Sequence, residues 1–197
     1  MFKDLTKKQE DIIKISLNLI SQKGVKGLTI RNIAEKNGTV ESAIYRHFRN
    51  KDEILHAIID ILRKNSLPAT YTEDKDTLSQ IEATLNSHFK TFSTFPSIVS
   101  VLFCDSLFTN NEELLSKVKE VTNEGLFSIT KIIKTGQEKS EIREDIDANH
   151  LAIIVSGSFR MFLKKWKISN YGFDLISEGD KFSQSIKKLL MPIKTDK

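Results

Sequence analysis

Apolar residues along the chain recur every three or four positions, which is the period of an α-helix rather than of a strand. Near the start, Ile13, Leu17 and Ile20 form such a stripe, and Thr6 with Gln9 precedes it as a predicted capping box. Similar stripes return along the whole chain, and no alternating β-branched run bounded by turns interrupts them. The pattern predicts an all-α fold.

Glycine and polar capping residues divide the first third of the chain into four predicted helices. Gly24 and Gly38 stand where helices would end, and Thr29 and Asn50 stand where helices would begin. Only a few residues separate the second predicted helix from the third. Two short helices joined by a tight turn and braced by a longer one form a helix-turn-helix, whose second helix can enter the major groove of DNA.

The third predicted helix has two chemically different faces. Ile44 and Phe48 are four residues apart and are expected to pack against the preceding helices. Tyr45 and Arg46 fall on the opposite side, where a hydroxyl and a guanidinium suit phosphates and base edges. Lys51 adds a positive charge at the start of the fourth helix, where backbone N–H groups favour an anion.

The distribution of charge agrees with an anionic partner for this region. The 197-residue chain has a net charge of +4, but residues 1–65 carry 13 Lys and Arg against 8 Asp and Glu. Residues 66–197 carry 17 against 18. The excess positive charge therefore lies in the first third, although a solvated basic face is a common alternative.

Residues 24–56 resemble the DNA-binding domain of the TetR (tetracycline-repressor) family of bacterial regulators. The matching residues keep the spacing of that domain: Gly24, Thr29, Ile33, Ala34, Gly38, Ile44, Tyr45, His47, Phe48, Lys51 and Leu55. Several such residues at fixed spacing are far more specific than a lone helix-turn-helix pattern. Beyond about residue 60, only helical content, length and chain order resemble the family.

The resemblance implies a set of DNA contacts. Thr29 and Arg31 match contacts to phosphates and base edges, and Tyr45, His47 and Lys51 match contacts to phosphates. The base-facing positions of the third helix are taken by three further residues, Glu41, Ser42 and Ala43. Arg46, on the exposed face, completes the predicted set.

Other interpretations of these residues stay open at this stage. Tyr45 could be a half-buried core residue, Arg31 and Arg46 could be solvated charges, and His47 could be structural. The family usually has Val followed by a hydroxyl cap after the glycine, whereas this chain has Thr39 and then Val40. Because Val cannot accept an N-cap hydrogen bond, either Thr39 caps a helix that begins one residue early, or the helix is weakly capped.

The predicted domain organisation follows chain order. Residues 1–50 form the DNA-binding domain, residues 51–66 form a connecting helix, and residues 67–197 form a helical regulatory and dimerisation domain. The stretches 148–168 and 175–190 are apolar on more than one face, which a monomer would struggle to cover. In the family the final two long helices pair with those of a second subunit, although burial in the domain core is the alternative.

Two groups of residues are predicted for this second domain from the same reasoning. The predicted homodimer interface contains Ile154, Gly157, Phe159, Phe162, Trp166, Phe182, Ile186 and Leu189. The resemblance also implies a small, hydrophobic ligand, for which candidate lining residues are His88, Phe89, Phe92, Phe103, Cys104, Phe127 and Phe159. An aromatic stripe at helical spacing is more often core than pocket, so the ligand rests on the resemblance.

The remaining features of the sequence exclude several classes of protein. No run of 18 apolar residues predicts a membrane helix, and the charged start lacks a signal peptide's apolar region, so the cytosol is the simplest location. The lone Cys104 gives neither a disulfide nor a zinc pattern, and no cofactor or metal is expected. An enzyme using Cys104 and His88 is disfavoured, because no other catalytic set accompanies them.

The leading hypothesis is therefore a non-enzymatic repressor that binds a palindromic operator as a homodimer and is released by a small apolar ligand. A helical interaction module without DNA binding is the alternative.

Overall fold

The computed structural model describes residues 4–66, 76–103 and 111–193, which contain helices and no strand. The predicted all-α fold is thereby confirmed. The helices are α1 (Lys7–Lys23), α2 (Ile30–Lys36), α3 (Glu41–Tyr45), α4 (Lys51–Ser66), α5 (Thr77–Thr94), α6 (Pro96–Leu102), α7 (Glu112–Glu138), α8 (Ala148–Ile168) and α9 (Leu175–Leu190), with a short 3-10 turn at Val25–Gly27.

The first of two compact units comprises residues 1–65 and 95–121. In α1 the predicted capping box is present, because Thr6 Oγ1 accepts from the Gln9 N–H and the Gln9 side chain accepts from the Thr6 N–H. The apolar stripe of α1 is buried and packs against α2 and α6. A bond from Ser100 Oγ to Ser21 Oγ, 3.1 Å long, joins α6 to α1.

The second compact unit comprises residues 66–94 and 122–197. Here α5 packs along α9, and they approach tightly at Gly179, where an added Cβ would lie 2.4 Å from Phe89 Cδ2. Glu141 accepts hydrogen bonds from the backbone N–H and hydroxyl of Thr77, and these bonds hold the pKa of its carboxyl below the ordinary value. This carboxylate therefore caps the start of α5 from a distant point in the chain.

Gly136 has a different role from the one its position in the sequence indicates. The pattern places it at the end of a helix, but α7 continues to Glu138. A Cβ at Gly136 would lie 2.6 Å from both Thr77 Oγ1 and Ile142 Cδ1. The glycine is therefore needed for close packing, and the chain turns at Ser140, which has a φ of 54°.

Each of the two compact units combines separate stretches of the chain. Residues 95–121 belong to the first unit because α6 packs on α1, whereas α5 belongs to the second unit with α9. The division into 1–50, 51–66 and 67–197 remains a prediction. In the described ranges, every helix is too short or too polar to cross a membrane.

Candidate nucleic-acid interface

The predicted recognition helix, α3, buries one side and exposes the other. Ile44 and, just beyond the helix, Phe48 are almost fully buried in the first unit. Glu41, Ser42 and Tyr45 are exposed, and the Tyr45 side chain keeps 50% of its surface in water. Tyr45 is therefore not a core residue, and the side of α3 opposite Ile44 can be reached by a large partner.

The start of α3 resolves the two alternatives for its cap. Val40 occupies the N-cap position with an extended backbone and makes no side-chain capping bond. Thr39 does not begin the helix early, and Glu41 is the first helical residue. The helix is weakly capped at its start, and the backbone bond from the Ala43 N–H to the Val40 carbonyl is 3.0 Å long.

The turn before α3 and the start of α2 bring further polar groups to the same region. Thr29 Oγ1 caps α2 by accepting from the Asn32 N–H at 3.1 Å, and Gly38 supplies the positive φ of 63° that the turn requires. A shallow concavity opens between the two helices, lined by Arg31, Ala34, Glu35, Thr39, Val40, Glu41 and Ser42. The structure thus places Arg31 beside two of the predicted base-facing residues.

The start of α4 is held in place by reciprocal capping. Asn50 Oδ1 accepts from the Glu53 N–H at 2.8 Å, and the Glu53 carboxylate accepts from the Arg49 N–H. Lys51, the first helical residue, is half-buried. Its charge therefore stands at a helix start whose geometry is fixed by two hydrogen bonds.

Two members of the predicted set are less accessible than the rest. His47 is half-buried, and its backbone carbonyl accepts from Gln9 Nε2 at 3.4 Å, which ties the end of α3 to α1. Ala43 is also half-buried. Half-buried positions of this kind suit residues that pack within the domain as well as residues that contact a partner.

Three polar pairs join one face of α4 to the start of α7 within the first unit. Along α4 they are spaced by four residues, as one face of a helix requires: Asn111 Nδ2 to Asp52 Oδ2 at 3.0 Å, His56 Nε2 to Glu113 Oε1 at 3.6 Å, and Lys117 Nζ to Asp60 Oδ2 at 2.8 Å. Sequence periodicity did not reveal this ladder, because its partners lie about 60 residues apart.

The predicted ligand residues are only partly brought together. His88, Phe89, Phe92 and Phe159 form one ring cluster, with 5.6 Å between the His88 and Phe159 centroids and 5.2 Å between those of Phe89 and Phe159. Phe127 does not join it, because the side chain is 71% exposed on α7.

The last two predicted ligand residues stay a prediction. Phe103 belongs to the first unit, whereas the rings of the cluster belong to the second. Cys104 lies outside the described residues, so its predicted place in the ligand pocket and its pairing with His88 stay untested.

The predicted dimer residues divide into exposed and internal ones. Ile154 and Leu189 are each 42% exposed, and Gly157 is exposed with open space where a Cβ would project. Trp166 and Ile186 are buried within the chain itself, and the Trp166 indole N–H donates to the Phe173 carbonyl at 3.0 Å. These two residues therefore offer little surface to a second copy, and their place in an interface stays a prediction.

The three phenylalanines of the predicted interface also serve the chain's own core. Phe159, Phe162 and Phe182 are half-buried and surround the Phe89 ring. Sequence reasoning missed other apolar side chains that are exposed on α8 and α9, namely Ile153, Met161, Ile168 and Ile176. The sequence signal that could have revealed them is their spacing along the helix from the buried Leu151, Val155 and Leu163.

Two family models together span most of the chain. The model described as "Bacterial regulatory proteins, tetR family" matches residues 12–58. The model described as "YsiA-like protein, C-terminal region" matches residues 52–192. The first covers the helix-turn-helix, and the second covers α4 and everything after it up to the end of α9.

Curated relatives match over nearly the whole chain at low identity. The "Probable acrEF/envCD operon repressor" of Escherichia coli (strain K12) is 21% identical over 197 residues, covering 94% of this chain and 88% of its own. The "Fatty acid metabolism regulator protein" of Bacillus subtilis (strain 168) is 21% identical over 187 residues, covering 93% and 94%.

Solved structures share the fold. The fatty acid degradation regulator FadR from Bacillus halodurans superposes with a TM-score of 0.73 at 20% identity, covering 93% of this chain and 96% of that one. FadR from Bacillus subtilis in complex with stearoyl-CoA gives 0.71 at 21% identity, covering 92% and 97%.

Proposed function

The chain belongs to the TetR family of bacterial regulatory proteins, and from this premise we propose that it is a repressor that binds operator DNA. The observation that carries the proposal is the exposed side of α3, which places Glu41, Ser42 and Tyr45 in solvent above the buried Ile44. A helix that buries one side in its own domain and exposes polar groups on the other can lie in a major groove.

The cations around this face support the proposal. Within the described ranges, Arg31, Arg46 and Lys51 form no ion pair with a carboxylate, whereas Lys14 on α1 is paired with Glu10. Cations without a protein partner can neutralise phosphates and release counterions, which is the main source of affinity for DNA. The base-edge groups of Glu41 and Ser42 would then select sequence.

The apolar surface of α8 and α9 supports the proposal of a homodimer. Ile153, Ile154 and Met161 on α8 and Ile176 and Leu189 on α9 are large apolar side chains exposed to solvent. Grouped exposed apolar side chains mark surfaces that bind other proteins. Gly157 among them would allow a second helix to approach closely, because an added Cβ there would have no neighbouring atom of the described residues within 4 Å. Two copies would present two recognition helices to the half-sites of a palindromic operator.

The second unit is proposed to bind a small hydrophobic ligand that releases the operator. Half-buried rings of His88 and Phe159 beside the buried Phe92 offer an apolar surface with one polar group. Since the Bacillus subtilis FadR structure contains stearoyl-CoA, long-chain acyl-CoA thioesters are the first ligands to test.

The ladder between α4 and α7 gives this regulation a physical route. The pairs at Asp52, His56 and Asp60 fix α4 against the start of α7, and α7 contributes residues to both units. Any displacement of α7 would therefore move α4, whose first turn carries Lys51. A ligand can act in this way only through different affinities for the two arrangements.

Binding to a duplex that contains the region upstream of the chain's own gene tests the proposal. We expect retention of the full chain that weakens steeply with salt and exceeds retention on a shuffled duplex of equal length. Equal retention on both duplexes would favour the alternative, a helical module without an operator.

The ligand is tested by reciprocity. Operator DNA must weaken stearoyl-CoA binding by the factor by which stearoyl-CoA weakens operator binding, about 5–150-fold for a coupling of 1–3 kcal/mol. Equal stearoyl-CoA affinity with and without operator would mean that the molecule occupies the second unit without being the signal.

A further inference from the structure

The N-cap of α3 leaves a large apolar side chain in water at the proposed DNA-binding face. Val40 is 66% exposed and lines the concavity between α2 and α3, next to Arg31, Glu41 and Ser42. In the described part of the first unit, Tyr45 is the only other large apolar or aromatic side chain that is comparably exposed. The first unit thus exposes such groups at the two ends of α3.

Local stability does not explain a valine at this position. Val40 has the extended backbone of an N-cap, with φ −97° and ψ 156°, which a serine or threonine adopts readily. The hydroxyl of either residue would accept a hydrogen bond from the first turn of α3, whereas the Val40 side chain accepts none. Burial does not compensate for the missing bond, because most of the Val40 side chain stays in solvent.

We propose, on the basis of the proposed DNA-binding function, that Val40 contacts the C5-methyl group of a thymine in each operator half-site. In the major groove thymine is the base that presents a methyl group, and apolar side chains recognise it. Arg31, Glu41 and Ser42 around the same concavity supply polar groups for neighbouring base edges. Contact would remove the Val40 methyls and the thymine methyl from water together, and this makes Val40 a determinant of sequence preference.

Replacing thymine by uracil removes only that methyl group and therefore isolates the contact. The operator is first selected from a random duplex pool with the full wild-type chain. Each thymine is then replaced by deoxyuridine in both half-sites, and Kd is measured for the wild type and for Val40→Ser. At one thymine position per half-site we expect wild-type binding to weaken about 15-fold, or about fourfold per methyl contact, with no loss for Val40→Ser.

Two further measurements separate this role from a structural one. Val40→Ser introduces a side-chain cap, so its Tm should equal or exceed that of the wild type. A weaker preference of this variant for thymine would then not result from unfolding. Val40→Thr keeps one methyl and adds the cap, and it should show an intermediate response to uracil.

The inference would be overturned if replacing thymine by uracil weakened binding equally in the wild type and in Val40→Ser. It would also be overturned if the replacement did not change the affinity of the wild type at any position. If the wild type selects no duplex at all, the proposed function itself fails and the inference falls with it. A selected operator that is bound tightly without any dependence on Val40 contradicts the inference alone.

Discussion

The helix-turn-helix and the α8–α9 pair leave opposite kinds of surface uncovered. Around α3 the apolar residues Ile44 and Phe48 are buried, and polar Glu41 and Ser42 face solvent. Along α8 and α9, by contrast, apolar side chains remain in solvent although the same helices also bury others. One surface suits a charged, hydrated partner, and the other suits a second apolar surface.

This difference shows that one chain can carry surfaces for two kinds of partner. Hydrogen-bonding groups and charges on a polar face bind a partner with complementary polar groups. Apolar area that the chain itself does not cover binds another apolar surface. In the proposed account the two surfaces depend on each other, because a second copy brings the second recognition helix.

The largest expected effect comes from blocking the apolar surface at Gly157. A Cβ at Gly157 would have open space around it among the described residues, and leucine should favour the helix, yet a Gly157→Leu side chain would prevent close approach of a second copy. We expect a monomer in sedimentation and an operator affinity about 100-fold weaker or more, because the two half-sites are no longer linked.

Gly125→Leu is the matched control, since Gly125 on α7 also has open space beside it. It should stay a dimer and bind normally. A dimeric Gly157→Leu chain with full operator affinity would remove Gly157 from the proposed interface.

A second glycine variant separates internal packing from surface effects. Gly179→Ala would place a Cβ 2.4 Å from the buried Phe89 ring, so the ring cluster must shift. Overpacking of this kind costs about 1–3 kcal/mol in the free energy of unfolding, measured by urea titration. Gly125→Ala serves as the control and should stabilise the folded chain slightly. Unchanged stability of Gly179→Ala would mean that α5 and α9 are less tightly packed than described.

The polar surface is tested by the salt dependence of binding. Lys51→Ala should reduce the slope of log K against log salt by about 0.9 per lost phosphate contact, or about 1.8 for a dimer. Tyr45→Ala should weaken binding about tenfold with little change in slope, because its hydroxyl is uncharged. Lys134→Ala, which removes an exposed lysine of α7, is the control. A wild-type slope for Lys51→Ala would show that Lys51 does not contact phosphate.

The smallest expected effect is a pH-dependent change in the stability of the second unit. The pKa of Glu141 is lowered by the hydrogen bonds from Thr77, so the ionised carboxylate stabilises the fold above its unfolded pKa. That stability is lost as the pH falls through the folded pKa. The Tm of Glu141→Gln should therefore lie below that of the wild type at pH 7, with the difference shrinking below about pH 4.5. An equal difference at both pH values would rule out this role.

Local signals in the sequence predicted the helix-turn-helix well. The caps at Thr6, Thr29 and Asn50 and the glycine at Gly38 each act on backbone groups within a few residues, so short spacing is enough to recognise them. The register of α3 remained open because Val40 provides no capping group, and only the structure shows that Glu41 begins the helix.

Contacts between distant residues could not be predicted in the same way. Gly136 looks like a helix end in the sequence, but its role is set by Thr77 and Ile142, which approach it from other parts of the chain. Trp166 and Ile186 lie on helices with apolar residues on several faces, and periodicity does not show which face the chain covers itself.

Sedimentation velocity of a labelled operator duplex with the full chain tests the central claim most directly. If α2 and α3 contact DNA while α8 and α9 join two copies, the complex should contain two 22.5 kDa chains per duplex and dissociate as salt is raised. A selective, salt-sensitive complex of one chain per duplex would contradict the dimer, and no selective complex at any salt concentration would contradict the DNA-binding surface.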